Sequence, residues 1–303
     1  MGLLADKTKW VLFLASSSEP EDRHVSDLAF GIYCLENRGI NPVDIFIYID
    51  GNNRGNIQKL ISVGTNHQYN VKRSSEFFSD CDDNTHDNIV IFITGHGSMH
   101  GLDALPPIPP IPPIPPYRLL NRIKTTPDLD RAIVYMGQCY AGIFNYLAAG
   151  RQRRSDGKID PEAIFMGATN LHESISSSTT ENINGNDYTW VANLFLLNIF
   201  KWISSPFDVD GDGKNTVIDS YKYAGTSSNV MNMSIKMNSF VQSVMLHSQW
   251  STAKTDYELD NQNQTKLLIY RAYEQQYLSA LNINFVHQEC WILNSVPAQQ
   301  VEY

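Results

Sequence analysis

Cysteine is scarce in this chain of 303 residues: only Cys34, Cys81, Cys139 and Cys290 occur, widely spaced and with no CxxC pair. That spacing excludes a small disulfide scaffold and a zinc knuckle, and it favours a reducing compartment. Long apolar runs are missing too. The longest early one, Trp10 to Ala15, is too short for the hydrophobic segment of a secretion signal and lacks its basic flank; no run of about 18 apolar residues is present to cross a bilayer. The expectation is a cytoplasmic protein with no membrane partner. Positive charge is in deficit, with Lys plus Arg at 23 against 32 for Asp plus Glu, a net charge of −9 that repels a phosphate backbone. Nucleic acid is therefore not an expected partner. What is plentiful is apolar residues, at 42% against 18% charged, which excludes bulk disorder.

Short apolar runs alternate with longer amphipathic ones: Trp10 to Ala15, Val25 to Glu36, Asp44 to Tyr48, Asn88 to Thr94. Further apolar runs at Ala132 to Met136 and Ala163 to Gly167 are continuous, as in strands buried on both faces. This punctuation predicts an α/β fold, a mainly parallel sheet of about six strands flanked by helices. A long helix is predicted from near Asp187 through Trp190, Leu194, Leu197 and Trp202, with Pro206 stopping it. Beyond Met231 the pattern changes to helices at Ser234 to Ser248 and Gln264 to Leu281, so the chain reads as an α/β domain over 1–230 and a helical C-terminal extension over 231–303. Within an insertion at 105–117, Pro106 to Pro116 reads PPIPPIPPIPP and has to run as extended polyproline II. It serves as a stiff loop, as a ligand for a proline-reading domain, or as a lid.

Two predicted strand ends carry candidate chemistry. IVIFIT runs into Gly95-His96-Gly97-Ser98, and AIVYM runs into Gly137-Gln138-Cys139-Tyr140-Ala141-Gly142. In an open parallel sheet the C-terminal ends of strands share one edge, where ligands bind. The 43 residues from His96 to Cys139 allow one right-handed crossover between neighbouring strands. A thiol must lose its proton before it attacks a carbonyl, and a nearby imidazole takes that proton and later returns it to a leaving amine. Glycines on either side leave room for a peptide and free amides for an oxyanion. Either residue alone is better read as a strand-ending histidine or a buried thiol; the two motifs in His-then-Cys order favour a dyad.

This arrangement resembles the caspase-like clan of cysteine peptidases, and within it the legumain family, which includes asparaginyl endopeptidases and the GPI-anchor transamidase subunit. The opening WVLFLASSSEPEDRHVSDLAFGIYCLENRGINPVDIFIYIDG is similar to that family's strand, Arg-His, helix, Gly-Ile, strand pattern, and the resemblance runs from about Lys9 to Ala224. It implies Cys139 as nucleophile, His96 as its base, and the amides of Cys139 and Gly97 as oxyanion donors. It also implies Arg23, beside His24, and Asp187, in NDYTW, as the S1 pair, with Ser174 in HESISSS lining the same pocket. Tyr140 stands where the family has an acidic residue, and Glu21 where an asparagine orients the histidine. The P1 preference is open: Arg23 facing Asp187 would hold an asparagine amide, whereas Asp187 alone would favour Arg or Lys. Implied partners are protein or peptide substrates, and a small-molecule or protein activator if the enzyme is latent, as in signalling-controlled proteases of bacterial defence. A transamidase would share every residue. The competing reading is a non-catalytic, calcium-stabilised interaction module that offers its polyproline segment.

Asp208 to Asp219 places Asp208, Asp210, Asp212, Thr216 and Asp219 at positions 1, 3, 5, 9 and 12 with a glycine at 6. Those are EF-hand offsets, and the Lys214 carbonyl would supply position 7. Structural Ca2+ is the expected cofactor, and no organic one is expected.

Overall fold

A computed structural model of the chain describes residues 2–102, 113–154, 157–285 and 290–303, with side chains 283–285 excepted. Pro106 to Pro112 of the polyproline stretch lie outside the described residues. Two compact units are present: Met1–Ser228 with Gln288–Tyr303, and Asn229–His287. No helix among the described residues is long and apolar enough to cross a membrane.

In chain order the first unit runs β1 (Thr8–Leu14), α1 (Asp22–Asn37), β2 (Ile45–Ile49), α2 (Arg54–Ile61), β3 (Val71–Lys72), α3 (Ser74–Asp80) and β4 (Asn88–Thr94). A small ribbon of β5 (Gly97–Ser98) and β6 (Gly101–Leu102) follows, then α4 (Pro116–Thr125), β7 (Arg131–Met136) and β8 (Glu162–Gly167). The hairpin β9 (Ser176–Ile183) and β10 (Asn186–Asn193) leads into α5 (Leu194–Ser204) and then α6 (Val217–Leu259). The second unit holds most of α6 and α7 (Gln264–Phe285), and β11 (Trp291–Leu293) and α8 (Ser295–Ala298) belong again to the first. The sheet has seven strands in the order β11-β8-β7-β4-β1-β2-β3. All neighbours are parallel except β11, which runs antiparallel to β8.

The continuous apolar runs become strands buried on both sides because helices cover both faces. Leu12, Phe92, Tyr135 and Met166 share a register row. On that face Phe92 meets Phe200 of α5 at 4.8 Å between ring centroids, and the Tyr135 hydroxyl bonds those of Ser220 and Tyr303 at 2.7 and 2.6 Å. The other face holds Phe13, Ile91, Val134 and Phe165 against Phe77, Leu119, Phe144 and Trp291. α1 and α5 lie close together, and a Cβ at Gly31 would sit 2.5 Å from the Phe200 ring.

Two expectations are corrected. The helix predicted from Asp187 begins only at Leu194, and Asp187 belongs to β10. Alternation of exposed Thr189 and Val191 with buried Trp190 and Ala192 is a strand period, and Asn184-Gly185, both at positive φ, forms the hairpin turn. The C-terminal extension over 231–303 is not one helical piece: residues 290–303 belong to the first unit, and β11 within them adds an edge strand to the sheet. Trp291 packs on the bare Gly167 backbone and donates its indole N–H to the Thr169 carbonyl at 2.9 Å.

Gly31→Ala would gain about 1 kcal/mol in a free helix. In this protein the new methyl overlaps Phe200, so chemical denaturation is expected to show a net loss of about 1–3 kcal/mol. Phe200→Leu in the same background is expected to recover part of it.

Candidate active site

Parallel pairing of β4 with β7 sets Ile93 against Met136, and His96 and Cys139 each lie three residues further on. Both motifs therefore emerge side by side at the C-terminal edge of the sheet. Their proximity is tight at Gly97, where a Cβ would collide with the Cys139 carbonyl and the Gln138 side chain. A side chain at position 97 would force the two loops apart.

His96 is held from one side by the start of α1. Its Nε2 shares a 2.6 Å hydrogen bond with Glu21 Oε1, and Arg23 Nε donates to the other oxygen of that carboxylate at 2.6 Å. The Arg23 hydrogen bond first, and the His96 bond after it, lower the Glu21 carboxyl to about 2 despite some desolvation, so it is anionic at neutral pH. The buried His24 ring meets His96 edge to face at 5.0 Å. Burial, with the nearby Arg23 and His96 charges, lowers His24 to about 3, so it stays neutral beside His96.

Cys139 is half-buried, and its sulfur accepts the Ser174 backbone N–H at 3.3 Å, with the Ser174 hydroxyl at 3.8 Å. Tyr140 turns the chain sharply at φ 55, ψ 25, and its N–H goes to the His172 carbonyl at 2.7 Å. Left-handed backbone at a tyrosine is strained, as is common beside reactive residues. The Cys139 N–H has no acceptor among the described residues.

Sequence reasoning missed the buried polar pair beneath this edge. Asp27 accepts hydrogen bonds from Thr94 Oγ1 at 2.9 Å, Trp190 Nε1 at 2.9 Å and Asn193 N at 3.1 Å. Asn193 in turn caps α5 through Leu196 N, donates to the Gly137 carbonyl at 2.5 Å, and reaches Ser174 Oγ at 3.4 Å. Burial raises the Asp27 carboxyl to about 6, against the pull of its three donors.

Of the expected substrate-pocket residues, Ser174 lies against the thiol and Arg23 reaches Ser176 Oγ at 3.3 Å. Asp187 is not brought to Arg23; it is exposed in the hairpin and accepts from Asn182 Nδ2 at 3.2 Å. In the acidic loop, Asp208, Asp210 and Asp212 place one carboxylate oxygen each within 4.8 Å of the others. Asp219 is not part of that cluster: it is fully buried and accepts from Val209 N and from the N and Oγ1 of Thr216, which is itself buried. Lys222 pairs with Asp210 at 2.6 Å, and the Lys214 ammonium faces Glu302 at 3.6 Å. A cleft of about 210 Å³ lined by Ser16, Asp50, Arg73 and Ser74 opens on the edge where β1 and β2 end. A larger one of about 360 Å³ lies along β2 and β3, away from the dyad.

No family model matches the chain, and no curated protein matches it.

Because the folded Asp27 has a raised pKa, its contribution to stability is full below about pH 4 and is lost as the pH rises through about 6. Asp27→Asn can keep all three partners without a charge. Denaturation curves are expected to show the Asn variant gaining on wild type between pH 4 and 6, by on the order of 3 kcal/mol, and holding that margin above. His24 and Glu21 are present in both proteins, so their titrations drop out of the difference. A difference independent of pH would contradict an ionisable buried Asp27.

Proposed function

We propose that this chain is a cysteine endopeptidase with a caspase-like sheet, similar to the legumain family, that cleaves peptide bonds through an acyl-enzyme on Cys139. The observation that carries this reading is the exit of His96 and Cys139 at one level from adjacent parallel strands, with a carboxylate bonded to the imidazole and an amide on the sulfur.

The chemistry follows from those contacts. Glu21 engages Nε2, which leaves Nδ1 of His96 to take the thiol proton. The resulting imidazolium is stabilised by the Glu21 anion, and Arg23 holds that carboxylate in place through its second oxygen. Attack by the thiolate places negative charge on the scissile carbonyl oxygen. The unpartnered Cys139 amide, with that of Gly97, is the donor pair suited to receive it. His96 returns the proton to the departing amine, and water or a second amine then releases the acyl group. The Ser174 contact keeps the sulfur fixed while the histidine exchanges its proton. With Asp187 remote from Arg23, the positive charge nearest the site is already matched by Glu21. Neither arrangement of the expected S1 pair is formed, so the P1 preference is read from the peptide library below.

The three clustered aspartates support a structural Ca2+ in the loop after α5, with the Lys214 carbonyl as a further oxygen. Asp219 and Thr216 would shape that loop from inside, and the cation would relieve the repulsion that Lys222 offsets only at Asp210. Calcium is expected to raise the melting temperature of the chelator-treated protein, and Asp210→Asn with Asp212→Asn to abolish the rise.

Hydrolysis of a P1-scanning peptide library tests the main proposal. Cys139→Ala is expected to abolish turnover, His96→Ala to lower it by about 10²–10⁴-fold, and Glu21→Gln by about tenfold. Turnover by wild type that survives Cys139→Ala would refute it.

A further inference from the structure

In the second unit the face of α6 against α7 begins small and polar, with Asn232, Ser239 and Ser243 buried and Ser239 Oγ donating to the Ala280 carbonyl at 2.9 Å, and turns apolar and aromatic further on, at Leu246, Trp250 and Ala253. The opposite face carries Val230, Met233, Met237, Phe240, Val241, Val244 and Met245, each 58–67% exposed. Single exposed apolar residues are ordinary, but a contiguous stripe of this kind marks an interaction surface.

Its spacing says what fits. Val230, Met237 and Val244 recur every seven residues, with Met233 and Phe240 set three beyond the first two. That is a seven-residue apolar repeat, the pattern by which one helix lies along another. Only Lys236 is charged between Val230 and Met245, so no row of like charge keeps two such faces apart and no charged rim selects an oppositely charged partner. A helix that lies on a membrane carries many Lys and Arg residues on its polar face; this one does not. Seven large apolar side chains, each more than half exposed, offer an area on the order of the 800 Å² per partner of a stable interface.

We propose that this face of α6 is a self-association surface on which a second copy of the chain docks the same stripe, related by a twofold axis. In that pairing the Met and Phe side chains leave water on both copies at once, and the inner face stays against α7. The inference is independent of the peptidase reading.

Sedimentation velocity of the full chain tests it. Wild type is expected to form dimers at micromolar concentration. Met237→Glu with Phe240→Glu is expected to weaken dimerisation by at least about 100-fold while leaving the far-UV circular dichroism spectrum unchanged. Phe240→Ser serves as a gentler second variant, and Val43→Glu, an exposed apolar position in the first unit, should dimerise as wild type does. A wild type monomeric up to about 100 μM, dimers that survive the stripe variants, or a monomer that binds phosphatidylserine vesicles through the stripe would each overturn the proposal.

Discussion

The Asp27 carboxylate, wholly inside the first unit, accepts hydrogen bonds from the last residue of β4 and from two residues of β10. One of those, Asn193, passes the constraint on to the Gly137 carbonyl, two residues before Cys139, and to Ser174 against the sulfur. Both loops of the candidate dyad are thereby referred to one buried anchor. Burial of a carboxylate is costly unless donors meet it, and the three found there are what make the position tenable. The anchor works together with the His96–Glu21 bond and the Tyr140 N–H to His172 carbonyl bond, which fix the two loops from above.

Charge above that anchor is arranged so that His96, and not the buried His24, has a carboxylate partner. Glu21 is anionic because Arg23 and His96 both bond it, and His24, close enough to compete, is kept neutral by burial. Glu21 precedes the first turn of α1 and Arg23 lies within it, so a single helix start orients the histidine and matches the nearest cation. A carboxylate in this position stabilises a charged imidazolium more than a neutral amide would. In the proposed dyad, Glu21 would therefore support the charged imidazole better than the asparagine of the resembling family.

The sheet was legible because strands buried on both faces announce themselves as unbroken apolar runs, and β1, β4, β7 and β8 all fall within or beside the predicted segments. The exit of His96 and Cys139 from neighbouring strands at one edge was legible for the same reason, since both follow such runs directly. The β9–β10 hairpin was misread because Trp190, Leu194 and Leu197 also satisfy a helical spacing; the Asn184-Gly185 turn was the overlooked signal. Asp27 gave no local sign, as its partners lie 67 to 166 residues away along the chain, and contacts of that range leave no pattern in a sequence window; Asn193 was legible only as a cap for α5, not as the link to Gly137 and Ser174. Asp187 was assigned by resemblance alone, and the structure gives it to the hairpin. The return of β11 to the sheet hid in a three-residue strand after two long helices.

The chain carries its own controls for the central claim, that one thiol is set apart by a neighbouring imidazole. Cys34, Cys81 and Cys290 are pushed up by burial, Cys290 to about 12, which suppresses their reactivity. The most direct measurement is the rate at which a peptidyl chloromethyl ketone alkylates each cysteine at pH 7, located by peptide mass spectrometry. The account predicts rapid modification of Cys139 alone, slowed by about 100-fold or more in His96→Ala. Equal rates in the two proteins, or label spread evenly over the four thiols, would contradict it.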